Sequence, residues 1–350
     1  MNKWRIQQVA PAELIQLQWQ AIHALAVTLR KESLPDDLPP TLEEVIQSWS
    51  LNPPVAEERA WVAWDAQASP DAPRVLGYNR TTIIHMEENA HFAQAYLAVH
   101  PSTRRQGLGR ELFSHSVSFA QETGRRLIIV ESNSNCPAGG AFLQAAGAEK
   151  GLSMDVVQLD LQEFNHALLR TWIEGARERA AGFEIGCWDG PYPVDALEQV
   201  GKVKAAMDEA PMQDLDVEDF KWTPEVLRQL DENMVQRHIT RWTFYARETA
   251  TDNLAGFTEI FWSPGNPCVG QQGDTGVLNE YKNKGIGRWI KAAMLQKVLA
   301  EKPETRYIRT GNATTNEPMR KINQELGFKL FRSAWIWQIE VDQAQKFVVP

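Results

Sequence analysis

The sequence predicts a mixed α/β layer fold, helices packed on a mixed sheet, built twice in tandem within one chain. Three observations carry this. The stretch Val99-His100-Pro101-Ser102-Thr103-Arg104-Arg105-Gln106-Gly107-Leu108-Gly109-Arg110 returns 178 positions later as Val277-Leu278-Asn279-Glu280-Tyr281-Lys282-Asn283-Lys284-Gly285-Ile286-Gly287-Arg288, with Val, both glycines and the closing Arg in register. The order downstream of each copy also recurs: strand-like residues 127–130 and 307–310, Asn-bearing loops, then short helices ending in Ala146-Gly147-Ala148 and Leu326-Gly327-Phe328. Finally, 350 residues with 43% apolar and 23% charged side chains suffice for two cores, at ~150 residues per domain.

Each half then reads β-αα-βββ-α-β-α-β. Residues 5–9 predict a strand, and 12–31 an amphipathic helix. A turn rich in proline (Pro35, Pro39, Pro40) and a second helix from Thr41 come next. Residues 61–64, 75–84 and 92–99 predict a three-strand meander. The second half copies the plan with a strand at 183–188, helices at 196–207 and 224–239, and strands at 242–247, 254–262 and 270–277. Between the halves, Phe164, Leu168, Leu169, Trp172, Ile173 and Ala176 fall at helical spacing. The expected division is residues 1–160, a linking helix at 161–181, and residues 182–350.

Composition excludes several classes. A net charge of −9, from 36 basic and 45 acidic residues, is the wrong sign for following nucleic-acid phosphates. Three scattered cysteines, Cys136, Cys187 and Cys268, make neither a disulfide framework nor a zinc spacing, and a reducing cytoplasm suits them. No apolar run reaches the ~18 residues of a membrane helix. His85-Met86-Glu87-Glu88-Asn89-Ala90-His91 reads as a hairpin turn, so no metal site is expected.

After Val99 and Val277 the pattern switches from strand through a glycine turn into a helix. That geometry aims unpaired amides and the positive helix end at one point, an anion site suited to a pyrophosphate. Neither copy has the third glycine of a dinucleotide fingerprint or the Gly-Lys-Ser/Thr of a nucleoside-triphosphate loop. What remains is Arg104-x-x-Gly107-x-Gly109, and Lys282-x-x-Gly285-x-Gly287, each after an antiparallel meander.

With those residues the chain resembles the GNAT superfamily of acyl-CoA-dependent N-acetyltransferases, in its tandem two-domain form. Asn316-x-x-Met319-x-x-Ile322-Asn323-x-x-Leu326-Gly327-Phe328 is similar to the last helix-strand segment of many tandem members. The resemblance implies acetyl-CoA as co-substrate. Its pyrophosphate would lie on Arg104, Arg105, Gln106, Gly107, Leu108, Gly109 and Arg110, and on Lys282, Asn283, Lys284, Gly285, Ile286, Gly287 and Arg288. The edges at Leu97 and Val99, and at Thr275 and Val277, would pair with pantetheine, and Asn316 would reach the same arm.

In such enzymes the amine attacks the thioester directly, a carboxylate takes its proton, and a Tyr often protonates the departing thiolate. Here the Tyr places hold Leu143 and Asn323, and the usual Glu region holds Gln94 and Gln271-Gln272. The candidate catalytic residues are therefore Glu259, Asp274 and Asn323, and the second half is expected to do the chemistry. Asp208 to Asp219 places six acids in twelve residues, expected beside the acceptor groove of that half. The expected acceptor is a primary amine on a small molecule, a cationic one if that loop reads it. A non-catalytic acyl-CoA sensor or scaffold, and acetylation of protein N-termini or lysines, are the alternative readings.

Overall fold

Alternation along the first long strands decides where the cores lie. The computed structural model describes residues 3–52, 55–208 and 213–349. β1 (Trp4–Val9), β2 (Ala56–Asp65), β3 (Val75–Ile84) and β4 (Phe92–Val99) form an antiparallel meander. Trp61, Ala63, Leu76 and Ile83 face α3 (Leu108–Glu122), while Val62, Trp64, Val75 and Tyr78 face α1 (Gln16–Ser33) and α2 (Leu42–Ser50). Successive side chains point to opposite faces, so one sheet serves two cores. Thr41 starts α2 with a reciprocal capping box to Glu44.

β5 (Leu127–Asn133) runs parallel to β4, pairing only from Phe92↔Leu127 to Ala95↔Val130. α4 (Pro137–Ala146), β6 (Glu149–Asp160) and α5 (His166–Arg179) come next. The second half supplies β7 (Phe183–Asp189), α6 (Leu197–Asp208), α7 (Pro224–Gln236), β8 (Thr240–Glu248), β9 (Leu254–Trp262), β10 (Val269–Val277), α8 (Ile286–Glu301), β11 (Tyr307–Ala313), α9 (Glu317–Leu326), β12 (Lys329–Glu340) and α10 (Val341–Val348). β7 to β10 repeat the meander, and β10 pairs parallel with β11 only from Val269↔Tyr307 to Gln271↔Arg309.

The chain packs as two units whose membership departs from the expected linear cut. Of the described residues, unit 1 holds 3–153, 213–218 and 334–349, and unit 2 holds 154–208 and 219–333. In unit 1 the strand after β5 is β12, with Ala334↔Asn133 through Glu340↔Leu127. In unit 2 the strand after β11 is β6, with Met154↔Ala313 through Asp160↔Tyr307. Each half's final strand thus completes the other unit's sheet. An open strand edge accepts any strand of suitable length and pattern, so the exchange satisfies both ladders equally. The segment expected to link the halves belongs to unit 2, where Leu169 and Trp172 of α5 join the core of Ile260, Leu295 and Ile308. α10, which periodicity did not suggest, joins unit 1 through Val341 and Ala344.

Candidate active site

In both units the parallel pairing stops early and the central strands part. Beyond Ala95 in unit 1 and Gln271 in unit 2, β4 and β10 keep their antiparallel partners but lose their parallel ones. The His100 amide bonds Leu76 of β3, and the Leu278 amide bonds Ala255 of β9. Because amides alternate along an antiparallel strand, those of Leu97 and Val99, and of Thr275 and Val277, point to the open side. An extended polyamide could hydrogen-bond there as a further strand would.

Each opening ends at a glycine turn. Gly107 and Gly285 have φ of 96° and 82°, a left-handed conformation that a side chain would strain. They precede helices whose first amides find no backbone acceptor; among the described residues the amides of 105–109 and 283–288 have none. The basic side chains around the turns differ in freedom. Arg104 is held by Glu32 through two contacts of 2.6 Å and donates to the Val99 carbonyl at 3.1 Å. The Glu32 hydrogen bond raises its pKa further. Gln106 accepts from Lys3 at 2.9 Å, and Arg110 lies 4.7 Å from the ring centre of Phe347. In unit 2, Lys284 lies over Phe183 and Tyr281, and Arg288 pairs with Glu325 at 2.9 Å. Asn316 caps α9, its side chain accepting from the Met319 amide at 3.2 Å.

The two units part company in the meander. The unit 1 ladder between β3 and β4 runs without interruption from Gly77↔Val99 to Ile83↔Ala93. In unit 2 the register slips between Gln272 and Thr275, so β10 carries one residue more than β9 opposite it. Such a bulge re-aims side chains. Gln272 pins it by donating to the hydroxyls of Thr258 and Thr275 at 3.1 and 3.0 Å. Asp274 sits in the bulge with 48% of its side chain exposed, and Lys204 of α6 donates to it at 2.6 Å.

Lys204 joins Asp274 to Glu259, whose Oε2 lies 3.4 Å from the same ammonium and which is only 1% exposed. Glu259 also receives hydrogen bonds from the hydroxyls of Tyr192 and Thr243, with Arg241 at 3.7 Å. Arg241 in turn pairs with Asp231 at 2.7 Å. Burial works against the charge on Lys204, but the two carboxylates outweigh it and its pKa rises. Burial and Glu259 together push the Tyr192 phenol well above its ordinary value, so it remains a donor. Beside this cluster a cavity of about 350 Å³ opens between α6 and α7, lined by Tyr192, Val194, Leu197, Asp231 and Glu232 among others.

Of the candidate catalytic residues, Glu259 and Asp274 are thus brought together, and Asn323 is not. Its buried carboxamide accepts from Lys291 at 3.1 Å and donates to Asn312 at 2.6 Å, between α8 and α9. Tyr192, Lys204, Arg241 and Lys291 escaped sequence reading. The last had a signal: it interrupts the apolar stripe of α8 where the first copy has Phe113.

The acidic stretch lies differently from expectation. Glu209 is outside the described residues, and 213–218 belong to unit 1. There Asp216 pairs with Arg126 at 2.5 Å and lies 3.3 Å from His91, and Glu218 accepts the Asn89 amide at 3.0 Å. Complementary partners in unit 1 thus hold Asp216 and Glu218. Among the described residues no group of three or more His, Cys, Asp or Glu could hold a metal, and no helix is long and apolar enough to cross a membrane.

Residues 19–147 match the Acetyltransferase (GNAT) family model. The match covers most of the first copy, and the fold of the whole chain is that of tandem GNAT proteins. A tandem GNAT protein from the clavulanic acid biosynthesis pathway is 24% identical, with a TM-score of 0.79 over 97% of this chain and 98% of that one. A GCN5-related N-acetyltransferase from Sphaerobacter thermophilus has a TM-score of 0.64 at 13% identity, covering 97% and 96% of the two chains. A putative acetyltransferase from Pyrococcus horikoshii scores 0.54 at 12% identity, covering 97% and 90%. A search of curated protein sequences finds no match.

Proposed function

We propose that the protein transfers an acetyl group from acetyl-CoA to a primary amine of a small molecule, and that unit 2 is the catalytic half. The observation that carries this is Asp274. It is a half-exposed carboxylate set by a bulge at the open edge of β10, next to the outward amides of Thr275 and Val277.

The chemistry needs little beyond placement. Holding amine and thioester in one opening replaces a bimolecular encounter. Asp274 takes the ammonium proton, and the Thr275 or Val277 amide stabilises the oxyanion as the amine adds to the carbonyl carbon. Glu259, enclosed by Tyr192, Thr243, Lys204 and Arg241, holds Lys204 in place and through it Asp274. The glycine turn at Gly285 and the amides after it receive the pyrophosphate, with Lys282 and Lys284 adding charge.

Unit 1 supports a binding or structural role. Its Arg104 is engaged by Glu32, its ladder lacks the bulge, and Leu143 stands at the acid position. A cationic acceptor is favoured by the half-exposed carboxylate of Asp274.

The test is thiol release on mixing the protein with acetyl-CoA and a panel of amines. Gly285→Glu should abolish turnover and Gly107→Glu should leave it. Absence of release with every amine supports the sensor reading instead, and loss in the Gly107 variant alone overturns the choice of unit.

A further inference from the structure

α8 buries a lysine that nothing neutralises. Lys291 is 2% exposed, and its Nζ reaches Asn323 Oδ1 at 3.1 Å and Met319 Sδ at 3.8 Å. The Phe328 ring centre is 6.0 Å away. Facing it from α9 and the turn beyond are thus an amide, a thioether and an aromatic ring, none of them titratable. On its own helix Arg288 is already paired with Glu325. Burial alone lowers the Lys291 pKa to about 7. An ammonium has three donors, and among the described residues one of them meets no acceptor.

Packing does not require this arrangement. In the first copy the corresponding positions hold Phe113 and Leu143, 1% and 2% exposed, and the core closes on them. Unit 2 thus replaces two apolar residues by a hydrogen-bonded Lys–Asn pair at the cost of desolvating a cation. Asn323 is also the position where the resemblance implies the acid that serves the departing thiolate, and an amide cannot supply a proton. Lys291 can.

We infer that Lys291 protonates the CoA thiolate as it leaves, with Asn323 positioning the ammonium; this rests on the acetyl-transfer reading above. The amine nitrogen forms its bond to the acetyl carbon, and the carbon–sulfur bond breaks with its electron pair going to sulfur. Nζ passes one proton to sulfur, giving free CoA and a neutral lysine, while Asp274 holds the proton lost by the amine. The acceptor's ammonium gives up two protons, one passed through Asp274 to water before attack and one held by Asp274 as the amide forms. Exchange with water restores Asp274 and Lys291, and one proton is released per acetyl group transferred.

The experiment reads the thiol of bound CoA directly, by the ultraviolet absorbance of its thiolate during a pH titration of the full chain. In the wild type this thiol should titrate below the ordinary ~8.5, and Lys291→Met should return it there. Any contribution from unit 1 is common to both proteins. In turnover, Lys291→Met should lower kcat about 100-fold with little change in KM for acetyl-CoA, and should remove the fall in kcat above neutral pH. Adding Asn323→Tyr to that variant should restore part of the rate, with the alkaline limb moved toward the phenol range near ~10. A thiol titration unchanged in Lys291→Met overturns this inference and leaves the acetyl-transfer reading standing. Failure of the protein to bind CoA overturns both.

Discussion

Glu259 and Arg80 hold the same place in their respective sheets. Each stands three residues after a glycine, Gly256 or Gly77, that faces the end of the next strand at Val277 or Val99. Each is paired with an opposite charge on the preceding strand: Arg80 with Glu58 at 2.8 Å, Glu259 with Arg241 at 3.7 Å. The pair is reversed in sign between the copies. A meander that began as one design thus encloses a carboxylate among cations in unit 2 where unit 1 has a guanidinium held by a carboxylate.

Asp274→Asn keeps the shape of the bulge and its bond to Lys204 while removing the base. Thiol release should fall about 100-fold or more, and acetyl-CoA should still raise the melting temperature. Equal rates in variant and wild type would show that the proton leaves by another route.

Glu259→Gln has a different expected outcome because Glu259 is enclosed. The change leaves Lys204 and Arg241 buried with one counter-charge fewer, and truncating a buried pair costs about 3–5 kcal/mol. Denaturant unfolding should show that loss. A variant as stable as the wild type would mean that water or Asp274 already neutralises Lys204.

Glu32 occupies the guanidinium of Arg104 that the proposed pyrophosphate site in unit 1 would use. Glu32→Gln should therefore tighten CoA binding by unit 1, read by calorimetry in a chain whose unit 2 turn carries Gly285→Glu. Unchanged affinity would show that Arg104 plays no part in phosphate holding.

Lys291 makes stability depend on pH in a sense opposite to that of a lysine held in a salt bridge. Between its folded value of about 7 and the ordinary 10.5, the unfolded chain holds a proton that the folded chain lacks. Stability therefore rises with pH across that window, and the penalty is complete below it. Lys291→Met, close in volume, should melt higher than the wild type at neutral and acid pH, with the gain fading toward alkaline pH. Parallel melting curves across the range would show that Lys291 is solvated in solution.

The duplication, the meander and both glycine turns were legible because each is written locally: a period of two, a glycine where φ must be positive, a stripe at helical spacing. The exchange of β6 and β12 was not, since both strands carry the same half-buried pattern and a pattern names a face, never a partner. Glu259 and Asp274 could be chosen as nearby carboxylates, but Lys204 and Tyr192, which join and enclose them, come from α6 and the turn before it. Only folding brings them together. The Arg80–Glu259 reversal and the replacement of Phe113 by Lys291 show where two copies with the same fold have separated chemically.

The exchanged strands also set a schedule for biosynthesis. Unit 1 draws Trp335, Trp337 and Ile339 from β12, so its sheet edge at β5 stays open until residues 334–340 have been made. At ~5–20 residues per second, synthesis of the stretch between Asn133 and Ala334 leaves that edge exposed for many seconds, and unit 2, whose described members all precede residue 334, receives its last residue first. The half translated first is the half completed last. A gene split between the copies would leave the first product without the strand that finishes it, which ties the two units into one chain more firmly than any linker would.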